Sequence, residues 1–504
     1  MIRKVSGRMR KFAQVVFALL TGEVLARGAD GHGWWWSIIG LAMFLGILQN
    51  SSRRTRLLTA VLVTSVWFGM HVSWMKVLGI DAWLLLTLLC VLPWLLLALV
   101  PLPKRGWAQY AITASVVVLV EWLHDNVPWG GFPWGNLAYS QLDGPFVGLS
   151  LWGGQSLVAL AMTCVAVACV QLIRNGKVFR SLFVVGALWL GSVCAFPSVI
   201  HDGYRSTDVA IIQGGPDTKT DVQKQWSVFK RHIRQTDVFY AAVQAGKFTK
   251  PSLIVWPENS TDVDPLNNLA AYKKIDGLVN RVQVPILIGG VTWQGNPNGP
   301  RNAGILWMPK AGPTQIYAKT HLVPFGEYIP LRGLFASHIG RLSEIPTDFI
   351  PGNGPGIFDV DGGKFGDLIC FEIAYENHAR QLVNNGAEFI ALQTNNATYL
   401  GTQQSKQQFA IARFRAIEHR RSVVMASTTG VSGLIGWDGS VHASSEQGRG
   451  TFLSTEIQNV KGRTFTDRHP HWVAFLSLLV AMTFGIREIR KNRRVATNSA
   501  QVNG

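Results

Sequence analysis

Eight apolar runs constrain this chain more than any other feature. They lie at about 11–27, 33–49, 57–78, 82–102, 107–124, 151–173, 181–199 and 472–487. A run of roughly 20 apolar residues is long enough to cross a bilayer, and inside lipid only a helix satisfies its own backbone polar groups. Seven runs crowd into the first 199 positions and one stands near the end, so the expected architecture is an α-helical membrane bundle of eight spans, interrupted once by a long polar insert. The first, second and last runs are short, and their ends are set least sharply. With 48% hydrophobic residues, 15% charged and 19 tryptophans, the composition suits a chain that is part lipid-embedded and part water-soluble.

The net charge of +17 is distributed unevenly. Residues 201–470 hold 27 Lys/Arg against 23 Asp/Glu, a net +4, whereas a nucleic-acid footprint should concentrate on a folded face, so no nucleic-acid partner is expected. The excess sits in short links. Arg3, Lys4, Arg8, Arg10 and Lys11 precede the first run, and Arg53, Arg54 and Arg56 follow the second. Lys104 and Arg105 follow the fourth, Arg174, Lys177 and Arg180 the sixth, and Arg487, Arg490, Lys491, Arg493 and Arg494 end the eighth. These 18 residues fall on one side, against Arg27 and Lys76 in the alternate links. The positive-inside rule then places both termini in the cytoplasm and residues 200–470 outside it. A cleaved signal peptide fits the first run poorly, because Gly22-Glu23 interrupts it and no small-residue cleavage site follows. Few ionisable groups stand in the runs (Glu23 and Glu121 near their ends), which argues against a transporter's ion path.

From Thr207 the texture changes. Strand-like runs at Val209–Gln213, Leu253–Trp256, Pro285–Gly289, Ala303–Trp307, Leu368–Phe371, Phe389–Gln393, Val423–Ala426 and Gly433–Gly436 alternate with amphipathic stretches at about 222–245, 266–282, 376–385 and 403–421. That alternation predicts an α/β domain with strands buried on both faces. The tail Asn492–Gly504 is polar and reads as disordered. Of the five cysteines, Cys90, Cys164, Cys169 and Cys194 lie in apolar runs, while Cys370 alone belongs to the polar insert. No disulfide can form there, so a single thiol facing an oxidising compartment needs a reason.

Three segments supply one. Ser252–Glu258 is a hydrophobic strand ending on a carboxylate, Tyr317–Glu327 carries Lys319 into a Pro/Gly-bearing loop, and Gly366–Glu372 delivers Cys370. Acyl transfer needs these three groups: a base for the thiol proton, an ammonium for the developing oxyanion, and the sulfur itself. An unassisted thiol, with a pKa of about 8.5, is only slightly ionised near neutrality. Each residue alone has a plainer reading, as a buried structural thiol, a solvated charge or half of an ion pair. Their order and their shared position at strand ends favour chemistry.

Those segments resemble the nitrilase, or carbon–nitrogen hydrolase, superfamily, whose catalytic set is Glu, Lys and Cys in that chain order. Within it the chain is most similar to the apolipoprotein N-acyltransferase family, through Trp256-Pro257-Glu258, Lys319 with His321–Glu327, Ile369-Cys370-Phe371-Glu372, Asn395-Asn396-Ala397 and Arg413…Arg415–Glu418. The resemblance implies an α-β-β-α sandwich over residues 200–470, between a seven-span bundle (1–199) and an eighth span with a cytoplasmic tail (471–504). It implies Glu258 as general base, Lys319 as oxyanion stabiliser and Cys370 as nucleophile, with Glu327, Phe371 and Glu372 supporting and Trp226, Asn395 and Tyr399 touching substrate. The implied reaction moves an acyl chain from a membrane phospholipid, as a Cys370 thioester, to the amino group of a diacylglyceryl-cysteine apolipoprotein, at the outer face of a bacterial inner membrane. It implies no metal or organic cofactor.

The chain departs from that family in three places: Phe371 replaces a frequent Tyr, Ala397 follows the Asn pair where an aromatic is common, and a Trp soon after Gln213 lacks a clear counterpart, Trp226 being a candidate at the wrong spacing. Two other functions use the same residues, a membrane-tethered amidase acting on a small amide and a non-catalytic scaffold for another enzyme. The aromatic link Gly131–Gln141 reads either as an interfacial anchor or as part of a lipid-facing mouth, and the Gly/Pro-rich stretch Ser337–Gly356 as a mobile loop.

Overall fold

The computed structural model describes residues 2–49, 51–195, 205–216, 226–294, 298–330, 332–335 and 347–502. They form two compact units, one of residues 1–199 with 468–504 and one of residues 200–467.

In the first unit each apolar run falls on a helix for most of its described length: α1 (Ile2–Ala29), α2 (Trp34–Leu48), α3 (Arg53–His71), α4 (Ile80–Leu99), α5 (Gly106–Asn126), α6 (Ser150–Asn175), α7 (Val178–Ala195) and a C-terminal helix, Trp472–Val502; positions 196–199 of the seventh run lie outside the described residues. Among the described residues, five helical segments are long and apolar enough to cross a membrane: Lys11–Ala29, Ile80–Leu99, Gly106–Asn126, Val147–Asn175 and Val178–Ala195. Trp34–Leu48 and Trp472–Arg487 are apolar but shorter. The third run ends sooner than expected, because α3 stops at His71 and Ser73–Val77 forms a 3₁₀ turn. The tail is also corrected: the last helix continues through Val502, since Arg, Lys and Ala favour helix and neither Gly nor Pro interrupts the stretch from Arg487.

The aromatic link between α5 and α6 is no exposed anchor. Trp134 and Tyr139 are buried within this unit, and polar groups of the flanking helices fold the link inward. Glu121 accepts from the main-chain N–H of Leu137 at 2.8 Å, Asp125 from Asn136 at 3.0 Å and from Gln155 at 2.7 Å, and Tyr139 donates to Gln155 at 3.1 Å. Where no water competes, such bonds supply the partners an irregular backbone segment requires.

The second unit holds two six-stranded sheets. One has the order β12-β1-β2-β3-β4-β5 and the other β11-β10-β9-β8-β7-β6. The strands are β1 (Arg205–Gln213), β2 (Leu253–Val255), β3 (Ile286–Thr292), β4 (Arg301–Met308), β5 (Gly312–Ala318), β6 (Gly356–Val360), β7 (Gly363–Ile369), β8 (Phe389–Thr394), β9 (Ser422–Ser427), β10 (Gly433–Ile435), β11 (Val441–Ser444) and β12 (Thr451–Asn459). The central strands β1-β2-β3 and β7-β8-β9 run parallel, and antiparallel strands flank them. α8 (Ser227–Gln244) and α9 (Leu269–Val282) cover the first sheet through Phe229, Phe239, Ile275 and Leu278, which pack on Ile254, Trp256, Ile286 and Ile305. The short α10 (Arg332–Phe335) follows. α11 (Glu376–Asn384) and α12 (Gln404–His419) accompany the second sheet, and the single turn α13 (Phe465–Arg468) precedes the C-terminal helix α14. Between the sheets, Val209, Val255, Leu287 and Leu306 meet Phe365, Ile369, Phe389 and Val424. Each parallel strand is buried on both faces, which explains its continuous apolar sequence.

Eight of these strands contain or overlap the expected runs, but the run Leu368–Phe371 is corrected: β7 ends at Ile369, and Cys370 and Phe371 turn into a 3₁₀ segment held by Glu372. The other four, β5, β6, β11 and β12, carry no such run. β5 and β11 close the sheet edges and alternate or are largely exposed; β12 pairs with β1 across a long sequence separation, Arg205 opposite Asn459. Of the stretch Ser337–Gly356, positions 337–346 lie outside the described residues.

Candidate active site

Three strand ends of the second unit converge. β2 runs into Trp256-Pro257-Glu258, β5 is followed at once by Lys319, and β7 by Cys370. The burial that makes β2 and β7 hydrophobic also aligns their C-terminal ends, where open α/β sheets present ligand-facing groups.

Lys319 is 1% exposed and lies between two carboxylates, 3.5 Å from Glu258 and 2.9 Å from Glu327. Asn302, on β4, donates from Nδ2 to Glu258 at 2.6 Å and to Glu327 at 2.9 Å. The second oxygen of Glu258 accepts from the main-chain N–H of Asn395 at 2.9 Å, and that of Glu327 from the N–H of Val323 at 2.8 Å. Burial works to discharge Lys319, but Glu327 and then Glu258 outweigh it and hold the ammonium above its ordinary range. Burial lifts Glu258 above the usual carboxylate range; Lys319 opposes the lift, Glu327 adds to it, and hydrogen bonds from Asn302 and the Cys370 thiol oppose it. Glu258 is therefore a stronger base than a solvated carboxylate and already has the thiol as a partner.

Cys370 opens a 3₁₀ turn, Cys370–Ala374, and has a φ of 57°. That left-handed geometry is uncommon for a residue with a side chain and marks a sharp elbow between strand and turn. Glu372 holds the elbow. Its buried carboxylate accepts from the N–H groups of Ile369 (2.8 Å), Thr320 (2.8 Å) and His321 (2.9 Å), and from the hydroxyls of Tyr317 (2.9 Å) and Thr320 (3.1 Å). One carboxylate thus ties the nucleophile turn to the lysine segment. Thr394 donates to the sulfur at 3.5 Å and Gln408 lies 3.9 Å from it. Burial pushes the Cys370 thiol up to about 12, the charge of Glu258 adds to this, and Lys319 and Thr394 pull the other way. The thiol is therefore held in its protonated form.

The expected supporting and substrate residues separate in space. Glu327 contacts Lys319 directly, while Glu372 reaches the three groups through the main chain of Ile369, Thr320 and His321. Asn395 reaches Glu258 through its main chain, while its side-chain oxygen accepts from Ala397 and Thr428. Burial, followed by the charge of Cys370, raises the Tyr399 phenol to about 12. The Phe371 ring meets Tyr375 edge-on at 5.3 Å. Trp226 caps α8 and packs on Phe229 at 5.7 Å, in the layer between helix and sheet. Asn302, Tyr317, Thr320, Thr394 and Gln408 escaped the sequence reading. Asn302 left one trace, a polar residue next to Arg301 just before the apolar run Ala303–Trp307. Among the described residues, no cluster of His, Cys, Asp and Glu is arranged to hold a metal ion.

A Glu, a Lys and a Cys brought together at the strand ends of a four-layer α-β-β-α sandwich have the arrangement that a thiol enzyme of the nitrilase type requires. The chain belongs to the carbon–nitrogen hydrolase family, whose model matches residues 208–465. Its other unit narrows the assignment: residues 24–168 match the model described as the apolipoprotein N-acyltransferase N-terminal domain. The chain is similar to the apolipoprotein N-acyltransferase of Mycolicibacterium smegmatis, 32% identical over 64% of this chain and 58% of that protein. It is also similar to that of Haemophilus ducreyi, 25% identical over 86% of this chain and 90% of that protein. Among solved structures, an amidase from Nesterenkonia sp. AN1 covers 52% of this chain and 96% of its own at 15% identity, with a TM-score of 0.39.

Proposed function

We propose that this chain is an apolipoprotein N-acyltransferase that moves an acyl chain from a membrane phospholipid to the N-terminal amino group of a diacylglyceryl-cysteine apolipoprotein. One observation carries the reading: a Glu258-Lys319-Cys370 site is joined, in one chain, to apolar helices that match the N-terminal domain of those enzymes. A water-soluble amide substrate gives no reason for those helices.

In the first half-reaction Glu258 takes the thiol proton as Cys370 Sγ attacks the ester carbonyl. The Lys319 ammonium, fixed between its two carboxylates, stabilises the oxyanion. Collapse breaks the ester C–O bond, leaves an S-acyl Cys370, and returns the proton from Glu258 to the departing lysophospholipid oxygen. In the second half-reaction the α-amine attacks the thioester, Glu258 accepts the amine proton, and the C–S bond breaks to give the amide and a thiol reprotonated from Glu258. Glu327 and Glu372 hold Lys319 and the Cys370 elbow, while Asn395 and Tyr399 border the place where substrate lies.

The proposed setting is a bacterial inner membrane crossed eight times, with residues 200–470 outside and both termini in the cytoplasm. The 18 basic residues on one set of links support it.

The test is intact mass of the detergent-purified protein after incubation with phospholipid alone. The expected result is a gain of one acyl chain that Cys370→Ser lacks, that neutral hydroxylamine removes, and that a diacylated lipopeptide discharges. A folded protein that never gains the adduct, or that hydrolyses simple amides without lipid, overturns the proposal.

A further inference from the structure

One layer beneath the catalytic groups, the interior between the two sheets is not hydrocarbon throughout. Asp367 on β7 and Gln393 on β8 share the inward face of their sheet with Phe365, Ile369, Phe389 and Ala391, and both are fully buried. Opposite them, β3 and β4 place Gly289 against Gly304. A Cβ at Gly304 would stand 1.9 Å from Oδ2 of Asp367 and 2.8 Å from Oε1 of Gln393, so the two oxygens converge on the space that this glycine leaves open. The orientation of Gln393 follows from its amide nitrogen, which donates to the carbonyl of Trp256 at 2.6 Å. Its oxygen therefore faces the carboxyl group. Neither Asp367 oxygen nor Gln393 Oε1 has a partner among the described side chains and main-chain groups.

Two acceptors buried face to face repel unless one carries a proton, and an ionised carboxylate away from any cation is the more costly state. Burial drives Asp367 far above the usual carboxylate range, and the negative charges of Glu372 and Glu258 add to it. The other titratable neighbour is Tyr317 of β5, whose phenol Asp367 in turn disfavours ionising; β4 and β8 present Gly304, Asn302 and Gln393, none of which titrates.

We propose that Asp367 remains protonated and donates to Oε1 of Gln393, so that an acid–amide–carbonyl chain ending at Trp256 crosses the sandwich and positions the Glu258 strand end against the Cys370 strand end. Asp367 lies three residues before the nucleophile and Trp256 two before the base, so the chain joins the two strands just below their working ends. Asp367 and Gln393 are positioning residues, and the inference rests on reading Glu258 and Cys370 as the working pair.

The experiment compares full-length, detergent-purified Asp367→Asn and Asp367→Leu with the natural protein. Asparagine carries an N–H where the neutral acid carries its O–H, so Asp367→Asn should alkylate Cys370 with iodoacetamide, and acylate it from phospholipid, within about threefold of the natural rates. Asp367→Leu leaves Gln393 Oε1 buried without a donor and should slow both on the order of tenfold. The natural-minus-Asp367→Asn infrared difference spectrum should contain a protonated-carboxyl C=O band that persists through neutral pH. Carboxylate bands in its place, or an Asp367→Asn protein as slow as Asp367→Leu, overturn the proposal. Should Asp367→Leu fail to fold, Asp367→Asn and the spectrum decide alone. If the natural protein takes no acyl chain, the acyltransferase reading falls while alkylation and the infrared band still judge the positioning chain.

Discussion

At the scale of single residues, the site works through groups that hold charges in place. Asn302 donates to both Glu258 and Glu327, and its bond to Glu258 favours the ionised base. As the proposed base Glu258 must be ionised to act, and its raised pKa means that activity should fall as pH drops through a value above the ordinary carboxylate range, about 4.3. Asn302→Leu removes a bond that opposes this lift, so the acidic limb of the rate of Cys370 acylation should move to still higher pH. A limb that stays where it was would separate Glu258 from that ionisation. Glu372 makes a second case. It accepts only from donors, so Glu372→Gln sets an NH₂ group against at least one of them. Hydrogen bonds to charged groups contribute about 1.5–3 kcal/mol each, and the elbow at Cys370 should loosen enough to slow alkylation at least tenfold. The circular dichroism spectrum, in contrast, should stay unchanged.

At the scale of elements, α12 braces the nucleophile from behind. Arg415, wholly buried, donates to the carbonyls of Ile373 and Ala374 in the turn that begins with Cys370, and pairs with Glu418. At the end of the helix, Nδ1 of His419 lies 2.7 Å from Asp467, which also caps Thr464 at 2.9 Å. Burial opposes a charge on His419, yet Asp467 and Glu418 together raise its pKa. A raised folded-state pKa means that this pair stabilises fully below the unfolded value, about 6.5, and that its contribution fades as pH climbs through the folded value. Asp467→Asn should therefore cost about 3 kcal/mol in thermal or denaturant unfolding at pH 6, with the deficit shrinking as pH rises. An equal loss at every pH would assign the cost to the Thr464 cap instead.

At the scale of the whole molecule, the basic links make a prediction independent of catalysis. In a background with all five cysteines replaced by serine, Arg54→Cys and Lys104→Cys should react with an impermeant maleimide only after the membrane is opened. Lys310→Cys, exposed in the second unit, should react in intact spheroplasts. Labelling of all three without permeabilisation would overturn the proposed sidedness.

What the sequence determined by itself was whatever a local pattern can encode. Apolar run length set the helices of the first unit, because a segment that must satisfy its own hydrogen bonds in lipid has little conformational choice. Strands buried on both faces announced themselves as continuous apolar runs, and three strand-end residues announced a chemistry. Tertiary structure decided the rest. The edge strands β5 and β11 bury too little to leave a run, and β12 acquires a partner far away in sequence, Thr451 opposite Gln213 at one end and Asn459 opposite Arg205 at the other. The link Gly131–Gln141 has the composition of an interfacial anchor, yet Glu121, Asp125 and Gln155 draw it into the bundle. Asn302, Asp367 and Gln393 are unremarkable polar residues in sequence. Only the packing of one sheet on the other buries them beside Glu258 and Cys370, where a desolvated polar group must find a partner or a proton, and that requirement turns them into parts of a site.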